Sequence, residues 1–108
     1  MKRGELYRVS SGAVTDTKKQ RVYVIVSRQE LIDSSYSTLM CAPVYTAYDG
    51  ISTQVPIGVD EGLKHHSAIR CDELISILKT RLTSYVGILP FDKLDELNQA
   101  LAIAVGID

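Results

Sequence analysis

Cysteine is scarce in this sequence, and long apolar runs are missing from it. Cys41 and Cys71 are the two cysteines of 108 residues, and each lies in an apolar segment without the spacing of metal ligands. We therefore expect inert, buried thiols. No segment approaches the roughly 20 apolar residues that span a bilayer, and the N-terminus lacks an apolar stretch long enough for a secretion signal. These absences predict a cytoplasmic protein without a membrane span.

Motifs of two common enzyme classes are also missing. The sequence contains no phosphate-binding loop of the type G-x-x-x-x-G-K-[S/T], no zinc-ligand spacing and no nucleophile elbow. Nucleotide hydrolysis and zinc chemistry therefore have no support. We expect neither a metal nor a cofactor.

The net charge of −1 conceals an uneven distribution of charge. Residues 1–40 carry seven Lys or Arg and four Asp or Glu, whereas residues 41–108 carry five and nine. A basic N-terminal part can supply phosphate contacts in a slightly acidic protein, because affinity depends on the local patch more than on the sum. An ordinary mixed-charge surface explains the same numbers, so charge alone does not indicate nucleic acid.

The length and the hydrophobic pattern predict one domain, residues 1–108, with mainly β structure. A chain of 108 residues with 45% hydrophobic content can bury one core. Short apolar or alternating segments separated by turn residues are typical of strands. The expected strands are residues 6–9, 22–27, 38–44, 52–57, 68–77 and 84–89, with single helical turns within 29–37 and at 79–82. Residues 22–27 are rich in β-branched side chains and should be central, whereas Pro43 places its strand at an edge or before a bend.

The C-terminal segment changes from alternation to helical spacing. Apolar side chains recur every three or four residues from Phe91 to Val105, and carboxylates such as Asp92 lie near the start, where they suit the helix dipole. This pattern predicts an amphipathic helix that ends before Gly106. Several short strands with one closing helix imply a small, strongly bent barrel.

Four segments, taken in order, resemble a known family. Residues 3–9 read Arg-Gly-Glu-Leu-Tyr-Arg-Val, residues 21–27 are an arginine followed by an apolar strand, residues 38–44 read Thr-Leu-Met-Cys-Ala-Pro-Val, and residues 79–82 read Lys-Thr-Arg-Leu. Together they resemble the MazF/PemK family, the toxins of bacterial type II toxin–antitoxin systems, over nearly the whole chain. The resemblance implies an SH3-like or CcdB-like β-barrel with a C-terminal helix. It also implies a homodimer, a cognate antitoxin, and metal-independent cleavage of single-stranded RNA to 2′,3′-cyclic phosphate and 5′-hydroxyl ends.

Arg21 is the first candidate for a catalytic residue. It lies between a polar loop and an apolar strand, and its guanidinium keeps its charge and offers a rigid fork of donors suited to phosphate. It matches the catalytic arginine of the family, where a fixed cation can stabilise negative charge on the phosphoryl oxygens. An arginine that only anchors a loop is the alternative.

The hydroxyl partner of Arg21 has two candidates. Tyr45 stands where the family has a catalytic threonine, and Thr46 comes one position late. Strand alternation puts the two on opposite faces, so only one should reach Arg21 unless the strand bends after Pro43. Alignment favours Tyr45 and residue identity favours Thr46, with a narrow preference for Thr46. Alternatively, neither residue has a catalytic role, and Tyr45 is a core tyrosine followed by a threonine in a turn.

Further residues are expected to contact RNA. Lys18, Lys19 and Gln20 precede Arg21 and suit phosphate contacts. Asp72 and Glu73 match RNA-contacting positions of the family, where a carboxylate can accept a hydrogen bond from a base amino group. Solvated loop side chains explain these residues equally well.

His65 and His66 form a pair that could exchange protons near neutral pH. Adjacent loop residues seldom point at one scissile bond, so we expect a solvated pair without a catalytic role.

Two other functions compete with RNA cleavage. One is a CcdB-like toxin of the same fold that binds DNA gyrase and has no nuclease activity, and the other is an inactive relative kept as a binding module. Tyr45 in place of threonine and Ile75 in place of a family arginine count against the nuclease, whereas Arg21 and the strand it opens favour it.

Overall fold

The computed structural model describes residues 1–10 and 20–107. The strands and helices in these residues are β1 (Glu5–Ser10), β2 (Gln20–Ile25), α1 (Gln29–Ile32), β3 (Thr38–Tyr45), β4 (Gln54–Ile57), β5 (Ser67–Arg70), β6 (Ile75–Leu78), β7 (Ser84–Ile88) and α2 (Phe91–Ala104). Single turns of 3-10 helix lie at Val59–Glu61, Cys71–Glu73 and Lys79–Arg81. No described helix has the length and apolar character needed to cross a membrane.

The strands form one curled, antiparallel half-barrel. Its order is β4-β5-β3-β2-β1-β7, and β6 pairs with the first half of β3. The second half of β3 pairs with β5 instead, so β3 changes its neighbour along its length. These features confirm the expected bent β fold closed by a helix and the central position of β2, and β4 lies at an edge.

Pro43 lies where β3 changes its neighbour. The β6 pairing ends at Cys41, and the β5 pairing begins at Val44. On the opposite side Pro43 remains in register with Tyr23 of β2. A proline has no N–H to donate, so it is tolerated inside a sheet where one neighbour is missing. The expected edge position is therefore wrong: Pro43 lies inside the sheet, at the point where β3 changes its neighbour.

The expected single strand at residues 68–77 is also wrong. It is interrupted by the 3-10 turn Cys71–Glu73, in which Cys71 is buried and its amide donates to the carbonyl of Thr53. The turn lets the chain leave one half of β3 as β5 and rejoin the other half as β6. It also places Asp72 and Glu73 on the surface instead of in a ladder.

Two apolar clusters cover the two faces of the sheet. The larger one joins β1 to β5 with α2, through side chains such as Leu6, Val24 and Leu97. The second contains Ile25, Leu39 and their neighbours on the opposite face. Helix α2 ends before Gly106, which has a φ of +77°, as its spacing predicts.

Both thiols are buried, as expected. Burial raises the pKa of Cys41 to about 12, because a thiolate loses its hydration in the core. Burial, and next the charge of Asp72, raises the pKa of Cys71 to about 11. Neither cysteine is in a disulfide.

Candidate active site

Arg21 and Tyr45 meet across the ladder between β2 and β3. Tyr23 is paired with Pro43. Because the strands are antiparallel, Arg21, two residues before Tyr23, lies beside Tyr45, two residues after Pro43. The guanidinium carbon of Arg21 lies 4.0 Å from the ring centroid of Tyr45. Its Nη1 also approaches the carbonyl of Val44 at 3.5 Å, a long hydrogen bond. The arginine is therefore held over an aromatic face at the start of its strand.

Arg70 contacts the same ring from the other neighbouring strand. β5 flanks β3 on the side opposite to β2, and its Ala68 is paired with Tyr45. Arg70 is two residues further along β5, on the same face, and its guanidinium carbon lies 3.9 Å from the Tyr45 centroid. Two arginines from opposite sides thus enclose the ring, and each such contact stabilises by about 0.5–1 kcal/mol at exposed sites.

Glu73 joins two members of this cluster. Its Oε1 accepts a hydrogen bond of 3.0 Å from the hydroxyl of Tyr45, and its Oε2 lies 3.2 Å from Nη1 of Arg70. The carboxylate offsets part of the repulsion between the two guanidiniums. The Tyr45 hydroxyl therefore points to Glu73, and the ring is what contacts Arg21.

Thr46 takes a different position. It follows the last residue of β3, is exposed, and lies on the wall of a cleft that Arg21 and Tyr45 also line. The structure thus brings Tyr45 against Arg21 and leaves the Thr46 side chain at the solvent edge. This geometry gives the narrow preference for Thr46 no support.

The cleft has a volume of about 370 Å³ and opens beside the Arg21–Tyr45 contact. Its walls come from β1, β2, the end of β3 and the loop before β5. The lining residues are Arg8, Gln20, Arg21, Val22, Val44, Tyr45, Thr46, Leu63, Lys64, His65 and Ser67. Arg8, Arg21 and Lys64 are cationic, and the described lining includes no Asp or Glu. Such a cleft attracts anions.

The residues expected to contact RNA are spread over this region. Gln20 is exposed and lines the cleft. Lys18 and Lys19 lie outside the described residues. Asp72 and Glu73 lie on the turn after β5; Asp72 accepts a 2.6 Å hydrogen bond from Thr53, and Glu73 accepts one from Tyr45 of the cleft lining.

Sequence reasoning missed four residues of this region. Arg8, Arg70 and Lys64 were unremarkable as surface cations, and His65 was set aside together with His66. Arg8 is an exposed residue between the buried Tyr7 and Val9, and Arg70 ends β5 after three buried residues, so neither pattern indicates a shared site. Which strands are neighbours had to come from the fold.

The histidines separate in the structure. His65 lines the Arg21 cleft, whereas His66 lines a different one with Gly58, Asp60 and Lys93. Within the described part of the chain, no three His, Cys, Asp or Glu side chains are grouped so as to hold a metal ion.

Comparison with known proteins gives a consistent result. The family model for PemK-like, MazF-like toxins of type II toxin–antitoxin systems matches residues 2–105. Endoribonuclease MazF3 of Mycobacterium tuberculosis strain H37Rv is 26% identical over 95 residues, which cover 88% of this chain and 91% of that protein. The M. tuberculosis toxin MazF-mt6 superposes with a TM-score of 0.82 at 23% identity, over 96% of this chain and 98% of that one. A mycobacterial endoribonuclease in complex with its cognate antitoxin gives a TM-score of 0.84 at 24% identity, over 98% and 95%.

The half-barrel and its basic cleft therefore belong to a class of small bacterial toxins. The chain is a member of the PemK-like, MazF-like toxin family of type II toxin–antitoxin systems. This confirms the resemblance seen in residues 3–82.

Proposed function

We propose that this toxin is a metal-independent endoribonuclease that cleaves single-stranded RNA in the Arg21 cleft and leaves 2′,3′-cyclic phosphate and 5′-hydroxyl ends. The observation that carries the proposal is Arg21 held over Tyr45 beside a cleft whose charged lining residues are cations. The enzyme class follows from the family, and relatives of the chain are named endoribonucleases. The gyrase-binding alternative receives no support from the family match or the similar structures.

Arg21 supplies the charge that the reaction needs. When the ribose 2′-hydroxyl attacks the adjacent phosphate, negative charge accumulates on the phosphoryl oxygens. A guanidinium already held in place stabilises that charge without reorganising during the reaction. The Tyr45 ring and the Val44 carbonyl hold Arg21 in this position.

Tyr45 acts mainly through its ring. Its hydroxyl donates to Glu73, so its contribution to Arg21 is the aromatic face. Thr46, at the solvent edge of the cleft, offers a hydroxyl that can donate a weaker, neutral hydrogen bond to a phosphoryl oxygen. Both residues therefore assist Arg21, with Tyr45 the more important.

The surrounding residues hold the RNA strand. Arg8, Lys64 and Gln20 line the cleft and suit phosphate oxygens, and Lys18 and Lys19 precede them in the chain. Asp72 and Glu73 accept from base amino groups; each carboxylate oxygen has a spare lone pair beyond its present hydrogen bond. Single strands are the substrate because their base edges are accessible. We also propose that the RNA is mRNA and that the toxin acts on it in the cytoplasm.

A second copy of the chain and a cognate antitoxin are the proposed protein partners. Met40, Leu74 and Leu101 line an apolar groove between β3 and α2, together with the exposed Val105 and Ile107. Such a patch on a small chain suits a two-fold interface. A similar structure contains its cognate antitoxin, and an acidic antitoxin segment fits a cleft that attracts anions.

The test is cleavage of single-stranded RNA by the purified protein in the presence of EDTA. The cut fragments should end in 2′,3′-cyclic phosphate, which end-specific labelling identifies. Arg21→Ala should lower kcat/KM at least about a hundredfold, the usual scale for removing a group that stabilises transition-state charge. Arg28→Ala is the matched control, because Arg28 is an exposed arginine beyond the other end of β2. Absence of cutting by the parent, or full activity of Arg21→Ala, contradicts the proposal.

A further inference from the structure

His65 and Arg21 face the same cleft. Both lie on the walls of the 370 Å³ cavity, whose size is at the lower end of the range for small-molecule sites, about 300–1,000 Å³. Two groups that line so small a cleft can contact one nucleotide. The neighbouring His66 lines a separate cleft near Gly58 and Lys93, so the two imidazoles serve different surfaces.

The backbone that carries His65 is fixed on both sides. Before it, Leu63 is buried in the larger apolar cluster, and its amide donates to the carbonyl of Gly58 at 3.2 Å. After it, the hydroxyl of Ser67, a residue only 4% exposed, donates to the His65 carbonyl at 3.0 Å. Lys64 and His65 are thus presented to the cleft between two buried anchors.

Cleavage of RNA by its own 2′-hydroxyl requires a group that removes the proton of that hydroxyl. The other charged and titratable groups that line the cleft are Arg8, Arg21, Lys64 and Tyr45. A guanidinium stays protonated in proteins, and an ammonium or a phenol is protonated near neutral pH, so none of them is suited to be a base. Among the described lining residues, histidine is the type that exchanges a proton in this pH range.

We propose that His65 is the general base of the RNA cleavage reaction. Its imidazole nitrogen takes the proton of the 2′-hydroxyl as the 2′-oxygen forms its bond to phosphorus. The bond from phosphorus to the 5′-oxygen breaks, and that oxygen takes a proton from water. Arg21 stabilises the charge on the phosphoryl oxygens, and the imidazolium then returns its proton to solvent. This inference rests on the proposed nuclease function.

The first measurement compares His65→Gln with His66→Gln. The parent should show a kcat/KM that rises with pH; His65→Gln should lower kcat/KM at least about a hundredfold, within the usual contribution of a positioned base, and should abolish that rise. His66→Gln should keep both the rate and the pH profile, because its side chain lies at the other cleft. Circular dichroism and a melting curve of each variant show whether the fold is retained. Parental activity and an unchanged pH profile in His65→Gln overturn the inference.

The second measurement separates a base from an acid. An RNA with sulfur in place of the scissile 5′-oxygen has a leaving group that needs no proton. His65→Gln should remain defective on this substrate if His65 acts at the 2′-hydroxyl, and recovery of the parental rate overturns the assignment as base. If Arg21→Ala loses activity but His65→Gln cuts RNA like the parent, this inference alone is refuted. If the parent itself cuts no RNA, the proposed function is refuted.

Discussion

The guanidinium carbon of Arg21 lies 4.0 Å from the centre of the Tyr45 ring, across neighbouring strands of the half-barrel. The hydroxyl of the same tyrosine is 3.0 Å from Glu73 and donates to it. The ring and the hydroxyl of Tyr45 therefore have separate partners. A tyrosine at a position where the family resemblance implies a threonine can thus serve the arginine through its aromatic face.

Substitutions of Tyr45 should distinguish these two contributions. Tyr45→Leu removes the ring from Arg21 and Arg70, and we expect kcat/KM on single-stranded RNA to fall more than tenfold. A tenfold fall corresponds to about 1.4 kcal/mol, which lies within the combined stabilisation of about 1–2 kcal/mol from the two ring contacts. Tyr45→Phe keeps the ring and should stay within about threefold of the parent.

Thr46→Val is the comparison for Tyr45. It removes a hydroxyl from the cleft wall while keeping the shape, and we expect a smaller loss than in Tyr45→Leu, below tenfold. A larger loss in Thr46→Val than in Tyr45→Leu would reverse the ranking of these two residues. Melting temperatures of the three variants should be measured first, so that unfolding is not mistaken for a catalytic effect.

Local sequence patterns were enough to predict helix α2 and strand β2. Helix α2 follows from apolar spacing and from the glycine after it, and β2 follows from its β-branched residues. Arg21 was recognisable as a candidate because it directly precedes the apolar run of β2. Residues close together in the sequence determine these patterns, so the sequence alone is enough to recognise them.

What the sequence could not predict depends on pairings between distant segments. Arg70 reaches Tyr45 because β5 and β2 flank β3 on opposite sides, and nothing near Arg70 in the chain indicates that order. β3 pairs first with β6 and then with β5, and Pro43 is tolerated inside the sheet because it lies between these two pairings. For the histidines, their adjacency in a loop argued against a joint role, but only the fold shows that His65, and not His66, lines the Arg21 cleft.

Gly62 should be intolerant of substitution for a steric reason. It has a φ of +98°, and an added Cβ would lie 2.5 Å from the backbone oxygen of Val86. Gly62→Ala should therefore lower the free energy of unfolding by more than about 2 kcal/mol, since a clash with backbone adds to the cost of about 1 kcal/mol for positive φ. Urea unfolding followed by circular dichroism measures it.

Gly50 is the matched control for Gly62. Its φ is +74°, but an added Cβ would meet no heavy atom within 4 Å. Gly50→Ala should cost only the backbone term, about 1 kcal/mol. Equal costs in the two variants would show that the contact with Val86 does not constrain the loop that leads to His65.

The buried thiols should make stability fall in alkaline solution. Burial raises the pKa of Cys41 from 9.0 to about 12 and that of Cys71 from 9.0 to about 11. Above pH 9 the unfolded chain releases these protons while the folded one keeps them. This contribution to stability is therefore full below pH 9 and is lost as the pH rises to about 11 for Cys71 and about 12 for Cys41. The slope is about 1.4 kcal/mol per pH unit for each thiol.

Urea unfolding between pH 7.5 and 10 should reveal this loss. Burial first and the Glu5 hydrogen bond next raise the pKa of Tyr7 from 10.0 to about 12, so its contribution begins to fall only at the upper end of this range. The Cys41→Ala, Cys71→Ala double variant should show a flatter dependence on pH than the parent. A parallel decline in both proteins would assign the alkaline loss to other groups.

The apolar groove between β3 and α2 should hold two copies of the chain together. Light scattering of the parent at micromolar concentration should report about twice the chain mass of 11.9 kDa. Val105→Glu places a charge at a residue that is 57% exposed at the end of the groove, and a two-fold interface repeats it on both copies, so we expect a shift toward the monomer mass. Val59→Glu is the control, because Val59 is 74% exposed and lies at another cleft, and it should scatter like the parent. A parent of single-chain mass, or a Val105→Glu protein that stays dimeric, would show that this groove is not where the copies meet.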